Sequence, residues 1–158
     1  MLRGAPGRAP DGAPDGAYAG CIASLSDAAR FEQLDFLYTP SRDVAADMAY
    51  FRDVLRARVV FAVEDGGTRV AAIELAPGSP SVLLTDHVEG DRPILVFRVD
   101  DLEAEMARLE TAGWAREHTF EIPHGPICSF RTPGGHRIAL YELTRPEAAT
   151  HFDGRVDF

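Results

Sequence analysis

One stretch of this chain is written twice. Asp43-Val-Ala-Ala-Asp-Met-Ala-Tyr-Phe51 returns as Asp101-Leu-Glu-Ala-Glu-Met-Ala-Arg-Leu109, at a constant offset of 58 residues. Each copy opens on an aspartate, whose carboxylate can accept hydrogen bonds from the free amides of a helix's first turn. In the first copy Val44, Met48, Phe51 and Leu55 share one helical face; in the second Leu102, Met106 and Leu109 do. Each copy follows a β-prone run and precedes another. A chain built this way is constrained to fold as two copies of one small unit.

The turn residues divide the rest. In unit one, residues 31–90, Leu34–Tyr38 reads as a strand stopped by Thr39-Pro40, and Ser41 or Asp43 can cap the helix. Arg58–Glu64 and Arg69–Leu75 alternate as strands about the hairpin turn Asp65-Gly66-Gly67-Thr68, and Ser81–Thr85 is a fourth strand. In unit two, residues 91–144, Pro93–Val99 precedes a helix capped by Asp100 or Asp101 and ended by Gly113. The strands Ala115–Ile122, Ile127–Arg131 and Arg137–Leu143 follow, separated by Pro123-His124-Gly125-Pro126 and Thr132-Pro133-Gly134-Gly135. Both units read β-α-β-β-β, an α+β arrangement. Residues 1–30, rich in Gly, Ala and Pro with a tandem Ala-Pro-Asp-Gly, are expected to form a flexible tail with a short helical turn at Ser26–Arg30. Residues 145–158 read as a polar C-terminal tail whose Phe152 and Phe158 dock back on the domain or on a partner subunit.

Composition narrows the chemistry. The net charge of −9 argues against a nucleic-acid partner and suits a cationic ligand. All 16 basic residues are arginine, which excludes Schiff-base catalysis and any lysine base. No apolar run approaches the roughly 20 residues that cross a bilayer, and the N-terminus lacks a secretory h-region, so a cytoplasmic location is expected. Cys21 and Cys128 have neither metal-ligand nor disulfide-framework spacing and read as idle thiols.

The tandem unit, the run Tyr50-Phe51-Arg52-Asp53-Val54-Leu55 and the terminal Thr132-Pro133-Gly134-Gly135-His136-Arg137-Ile138-Ala139-Leu140-Tyr141-Glu142 together resemble the vicinal oxygen chelate superfamily. That group holds glyoxalase I, extradiol dioxygenases and bleomycin-resistance proteins. The resemblance spans Leu34 to Leu143; Thr132, Gly134 and His136 depart from the family's usual Asp-Pro-Asp-Gly-Asn turn. It implies two tandem units forming a curved mixed sheet that encloses a cup, with the helices outside. Metal-dependent members carry a His or Glu seven residues before each helix-leading aspartate, another donor on the fourth strand, and a Glu after the Ile of the last strand. Here those positions are Phe36, Ile94, Leu83 and Ala139, none of which has a lone pair for a cation. Asp35 and Glu142 lie at odd offsets from Phe36 and Ala139, and strand alternation predicts that both face away from the cup. No metal and no other cofactor is therefore expected.

With the metal positions apolar, the expected ligand-binding residues are Phe36, Tyr38, Leu83, Ile94, Val96, Arg98, Ala139 and Tyr141, with Arg98 as an anion anchor and the tyrosines as aromatic walls. Such a cup suits a small organic ligand, aromatic or cationic. The leading expectation is a metal-free sequestering or resistance-type protein, which the resemblance implies would be a homodimer. The alternatives are a glyoxalase- or dioxygenase-like lyase or isomerase with a displaced or absent metal site, and a partner-binding module whose cup is filled by its own side chains. The weak catalytic candidates are His124, aimed by a rigid turn, and Glu142. A Cys128–His124 thiol nucleophile lacks a third, orienting group. The other histidines, His87, His118, His136 and His151, read as solvated or capping residues.

Overall fold

The computed structural model describes residues 31–158. The expected N-terminal tail, its turn at Ser26–Arg30 and Cys21 lie outside the described residues. The order is β1 (Gln33–Pro40), α1 (Val44–Asp53), β2 (Arg58–Asp65), β3 (Thr68–Glu74), β4 (Ser81–Thr85), β5 (Ile94–Val99), α2 (Leu102–Thr111), β6 (His118–Ile122), β7 (Gly125–Arg131) and β8 (Arg137–Glu142). A 3₁₀ helix, Pro146–His151, follows. The doubled β-α-β-β-β reading therefore describes the architecture.

All eight strands form one mixed sheet in the order β2-β3-β4-β1-β5-β8-β7-β6. Within each unit the first strand runs parallel to the last, β1 with β4 and β5 with β8. The units meet through the antiparallel pair β1–β5, so the two halves of the sheet join within one chain. The first strand runs on through Thr39-Pro40, because Pro40 sits opposite Thr85 at the strand's last position, where a missing N–H costs the ladder little. The β2–β3 hairpin turns on Gly66 and Gly67 at φ 55° and 82°, the paired positive angles of a type I′ turn.

The helix caps are the aspartates the repeat points to. Asp43 accepts from the Ala46 amide at 3.0 Å and Asp101 from the Ala104 amide at 2.9 Å. Val44 and Met48 from α1 close over Ala62, Ala71, Ile73, Val82 and Leu84, while Leu102, Met106 and Leu109 from α2 close over Val99, Cys128, Phe130 and Leu140. Leu55 departs from its expected inward place and is 47% exposed, since α1 ends at Asp53 and no longer carries it on the helical face. Pattern reading also misses Glu105, which is buried on α2 and held by Arg108 through contacts of 2.5 and 2.9 Å. Trp114 is half-buried and packs against the second helical core, edge-on to Phe130 at 5.4 Å.

A third apolar cluster lies on the opposite face of the sheet from the helices. It comprises Val96, Ile127, Ala139 and Tyr141, with Phe36, Tyr38, Ile94, Ile122 and Leu143 against them. The C-terminal segment crosses from unit two to the far edge of unit one. Arg145 is tied to the β6–β7 turn, and Phe152 stacks on Phe61 at 5.5 Å. The segment then lies along β2 through a parallel bridge between Val156 and Ala62, and Phe158 ends in the first helical core. Docking on the domain, one of the two expected outcomes for Phe152 and Phe158, is thus realised within the chain.

Candidate functional site

Six of the eight expected lining residues, Phe36, Tyr38, Ile94, Val96, Ala139 and Tyr141, belong to the third cluster. The ladder explains why: Phe36 sits opposite Val96, Tyr38 opposite Ile94, and Val96 opposite Ala139, and directly opposed residues share a face. Leu83 lies between Tyr38 and Ala72 in the ladder and shares that face, although it stands outside the cluster. Leu83 is placed against Tyr38 as Ala139 is placed against Val96, so the two carried-over positions are related by the internal repeat. The donor chemistry of a divalent-cation centre is not offered by Phe36, Leu83, Ile94 and Ala139. Among the described residues, no three His, Cys, Asp or Glu side chains group so as to hold a metal ion.

Asp35 corrects the alternation argument. The register between β1 and β5 slips between Leu34 and Phe36, a β-bulge with Asp35 as the inserted residue. Strand parity does not survive a bulge. The Asp35 carboxylate therefore turns to the cup face, where the Tyr141 hydroxyl donates to it at 2.5 Å. Arg98, opposite Tyr141 on β5, reaches the same group: its Nε lies 3.6 Å from Asp35 and 3.2 Å from Glu32. That buried Nε–H is aligned with neither carboxylate, so both contacts are ion pairs rather than hydrogen bonds. Arg98 Nη2 also donates to Gln33 at 3.3 Å. Arg98 is thus on the expected face, but its charge is already matched by carboxylates. In this structure Arg98 faces those carboxylates, where the sequence predicts an external anion.

His124 joins this cluster from unit two. Its ring is tilted against Phe36 at 5.9 Å and lies edge-on to Tyr141 at 6.4 Å. The turn that carries it is clamped by Arg145, which donates to the Pro123 and Ile122 carbonyls at 2.9 and 2.6 Å and to Glu121 at 2.7 Å. The Arg145 amide also donates to the His124 carbonyl at 3.0 Å. Glu142, the other catalytic candidate, does face away as alternation predicts; its carboxylate accepts from the Leu102 amide at 3.0 Å, at the start of α2. Held there on the helix face, Glu142 is not available to the cup.

The second half of the cup holds a chain that pattern reading misses. The Tyr38 hydroxyl is 2.9 Å from His87 Nε2, and the fully buried Thr85 hydroxyl is 2.6 Å from His87 Nδ1. A neutral imidazole donates through one nitrogen and accepts through the other, so the ring's tautomer sets the direction of both bonds. His87 is exposed, but it is engaged rather than merely solvated. The signal in the sequence was its position two residues beyond a strand residue that shares the face of Leu83.

Burial shapes the protonation of these groups. It pushes the Tyr38 hydroxyl up, and it pushes Tyr141 up further with help from the Asp35 carboxylate, so both phenols stay protonated as hydrogen-bond donors. Burial also raises the Cys128 thiol, which removes it as a thiolate nucleophile. It pushes His124 below the ordinary histidine value of 6.5, with Arg145 adding to the fall and Asp35 opposing it. The fold therefore prefers neutral His124. Stability from this group is complete above the unfolded value and is lost as pH falls through the lowered folded one. The thermal midpoint of the wild type is expected to drop more steeply below about pH 6.5 than that of His124→Gln; parallel melting curves across pH would contradict this.

The fold has solved structural counterparts. No protein-family model matches the chain, and no characterised protein matches it by sequence. Solved structures do match. The crystal structure of methylmalonyl-CoA epimerase from Mycobacterium tuberculosis superposes with TM-score 0.63 at 22% identity, covering 76% of this chain and 93% of that one. Streptomyces coelicolor methylmalonyl-CoA epimerase in complex with 2-nitronate-propionyl-CoA superposes with TM-score 0.60 at 15% identity, covering 73% and 99%. A hypothetical protein from Bacillus halodurans reaches TM-score 0.61 at 11% identity, covering 72% and 95%. Identities of this size establish a shared fold and nothing beyond it. Among the described residues no helix is long and apolar enough to cross a membrane.

Proposed function

We propose that this protein is a metal-independent isomerase or lyase that moves a proton at the carbon beside a carbonyl of a small organic substrate held in the cup. The observation that carries the reading is the meeting of His124 with the Tyr141–Asp35 pair on an otherwise apolar face. A neutral imidazole at the edge of an apolar cup can accept a proton from carbon. As the C–H bond breaks, its electron pair moves onto the carbonyl oxygen as an enolate, and a protonated phenol can donate to that oxygen. Return of the proton to a different carbon of a conjugated enolate, or to the opposite face of the same carbon, completes an isomerisation. Return to the same face is the exchange that D₂O reveals. His124 is the proposed proton acceptor and Tyr141 the proposed donor. The single hydroxyl proton of Tyr141 turns from Asp35 to the enolate oxygen as charge develops there, while Asp35 with Arg98 positions the ring. Solved structures of this fold that are methylmalonyl-CoA epimerases support the choice of an isomerase.

The second reading, sequestration of an aromatic or cationic ligand without chemistry, is favoured by the lining itself: the half-buried Phe36 and Tyr38 offer stacking surface in a chain of net charge −9. We also retain the homodimer as part of the proposal, since Tyr50, Val54 and Leu55 near the end of α1 and Phe120 on the edge strand β6 leave apolar surface exposed.

One experiment separates these readings. Compounds with an acidic α-proton, methylmalonyl-CoA among them, are incubated with the protein in D₂O containing EDTA, and loss of the α-proton signal is followed by NMR. The isomerase reading expects exchange in the wild type and a fall of roughly hundredfold or more in His124→Gln. Tight binding in the cup with no exchange from any compound would leave sequestration. Exchange abolished by EDTA and restored by a stoichiometric divalent metal would sink the metal-independent mechanism.

A further inference from the structure

We propose that the cleft between Arg92, Arg131 and Arg137 is an anion site that takes the phosphate-bearing end of the ligand whose other end lies at Tyr141. The link to Tyr141 rests on the reading above; the anion site does not. The cleft has a volume of about 270 Å³ and is bounded by the three arginines with Glu89, Asp91 and Gly135.

The register puts these charges together. Arg131 on β7 is directly opposite Arg137 on β8, and Arg137 is opposite Ile94, one of the cup-lining residues. Like charges directly opposed across a ladder repel, and a bound anion would remove the penalty. Arg92 arrives from the β4–β5 connection, its Nη1 3.5 Å from the Gly134 carbonyl. Arg137 Nη1 donates to the Glu89 carbonyl at 3.0 Å. Backbone carbonyls therefore hold two guanidiniums in place without neutralising them. Among the described residues neither Arg92 nor Arg137 has a carboxylate partner, and Arg131 has only Glu117 at 3.2 Å. Elsewhere among the described residues, Arg52, Arg58, Arg69, Arg98, Arg108, Arg145 and Arg155 are each paired with a carboxylate, while Arg42, Arg56 and Arg116 form no ion pair but do not line this cleft. Glu89 and Asp91 also line the cleft but form no ion pair with the three guanidiniums, which leaves three positive groups against two negative ones there.

The chemistry of the anion follows from the residues. Guanidinium groups offer planar pairs of N–H donors that match phosphate oxygens, and several converging arginines favour a multiply charged oxyanion over chloride or a lone carboxylate. The spacing says how long the ligand is. Arg137 and Tyr141 share the cup face of β8 four residues apart, about 13 Å at the rise of a strand. A ligand that fills both ends is an extended organic phosphate, with the reacting carbon well separated from the charged group.

Pyrophosphate titrated calorimetrically into the full chain tests this. The wild type is expected to bind it, more weakly as salt is raised. Arg92→Gln and Arg137→Gln are each expected to weaken binding about tenfold or more, a loss of at least one charged contact. Arg52→Gln, on the outer surface of α1, serves as the control and is expected to bind as the wild type does. No pyrophosphate binding by the wild type, or unchanged binding in both cleft variants, overturns the site. His124→Gln keeps the two proposals apart. Normal pyrophosphate binding with proton exchange abolished supports both, whereas exchange in a wild type that binds no pyrophosphate removes only the anion site.

Discussion

An Asp35→Ala protein is expected to lose about 2–3 kcal/mol of stability, because the Asp35 carboxylate accepts the hydrogen bond of one buried group and balances the charge of another. Tyr141 is 2% exposed, and its hydroxyl would be left without an acceptor. Arg98 Nε is buried with no hydrogen bond and would retain only Glu32 as a charge partner. Proton exchange is expected to fall roughly hundredfold as well, because Tyr141 would no longer be held against the cup. The conservative change separates position from charge. Asp35→Asn still offers Tyr141 an oxygen acceptor, so it should recover most of the stability and part of the rate. Urea denaturation of the three proteins, with the D₂O exchange assay, reads both effects. If Asp35→Ala were as stable as the wild type, the Asp35–Tyr141 contact would not hold this end of the cup together.

Gly125→Ala should be more damaging still. Gly125 has φ +151°, and a Cβ added there would lie 2.1 Å from the Glu142 carbonyl oxygen and 2.8 Å from the Thr144 hydroxyl. The first of these atoms is backbone at the end of β8, so no side-chain rotation relieves the overlap. The hairpin would have to move away from β8, taking His124 and its contact with Tyr141 along. A loss of about 3–5 kcal/mol is expected, the size associated with strain at a special backbone position. The check is the urea midpoint, with the denaturant slope unchanged. An alanine variant within about 1 kcal/mol of the wild type would mean that the β7–β8 contact is soft.

The repeat and its helices were legible because the signals they rest on are local. Asp43 and Asp101 cap within three residues, Val44 and Met48 recur at helical spacing, and Gly66-Gly67 needs only its own backbone angles to turn a hairpin. The apolar character of Phe36, Ile94, Leu83 and Ala139 was legible for the same reason. Asp35 was not. Alternation along β1 assigns it to the wrong face, since the bulge that reverses it exists only in the pairing of β1 with β5. His87 and Thr85 were missed because their bond to Tyr38 depends on where β4 lies beside β1.

By itself the sequence determined a pair of β-α-β-β-β units, their caps and turns, and the apolar character of Phe36, Leu83, Ile94 and Ala139. The tertiary structure alone decided that the units join through β1 and β5, that His124 meets Tyr141 and Phe36, and that three arginines from different segments face one cleft. The reason is physical. Periodicity and capping are set by residues a few positions apart. Register, bulges and the convergence of charges are set by which strands pair, and that is the outcome of packing the whole sheet.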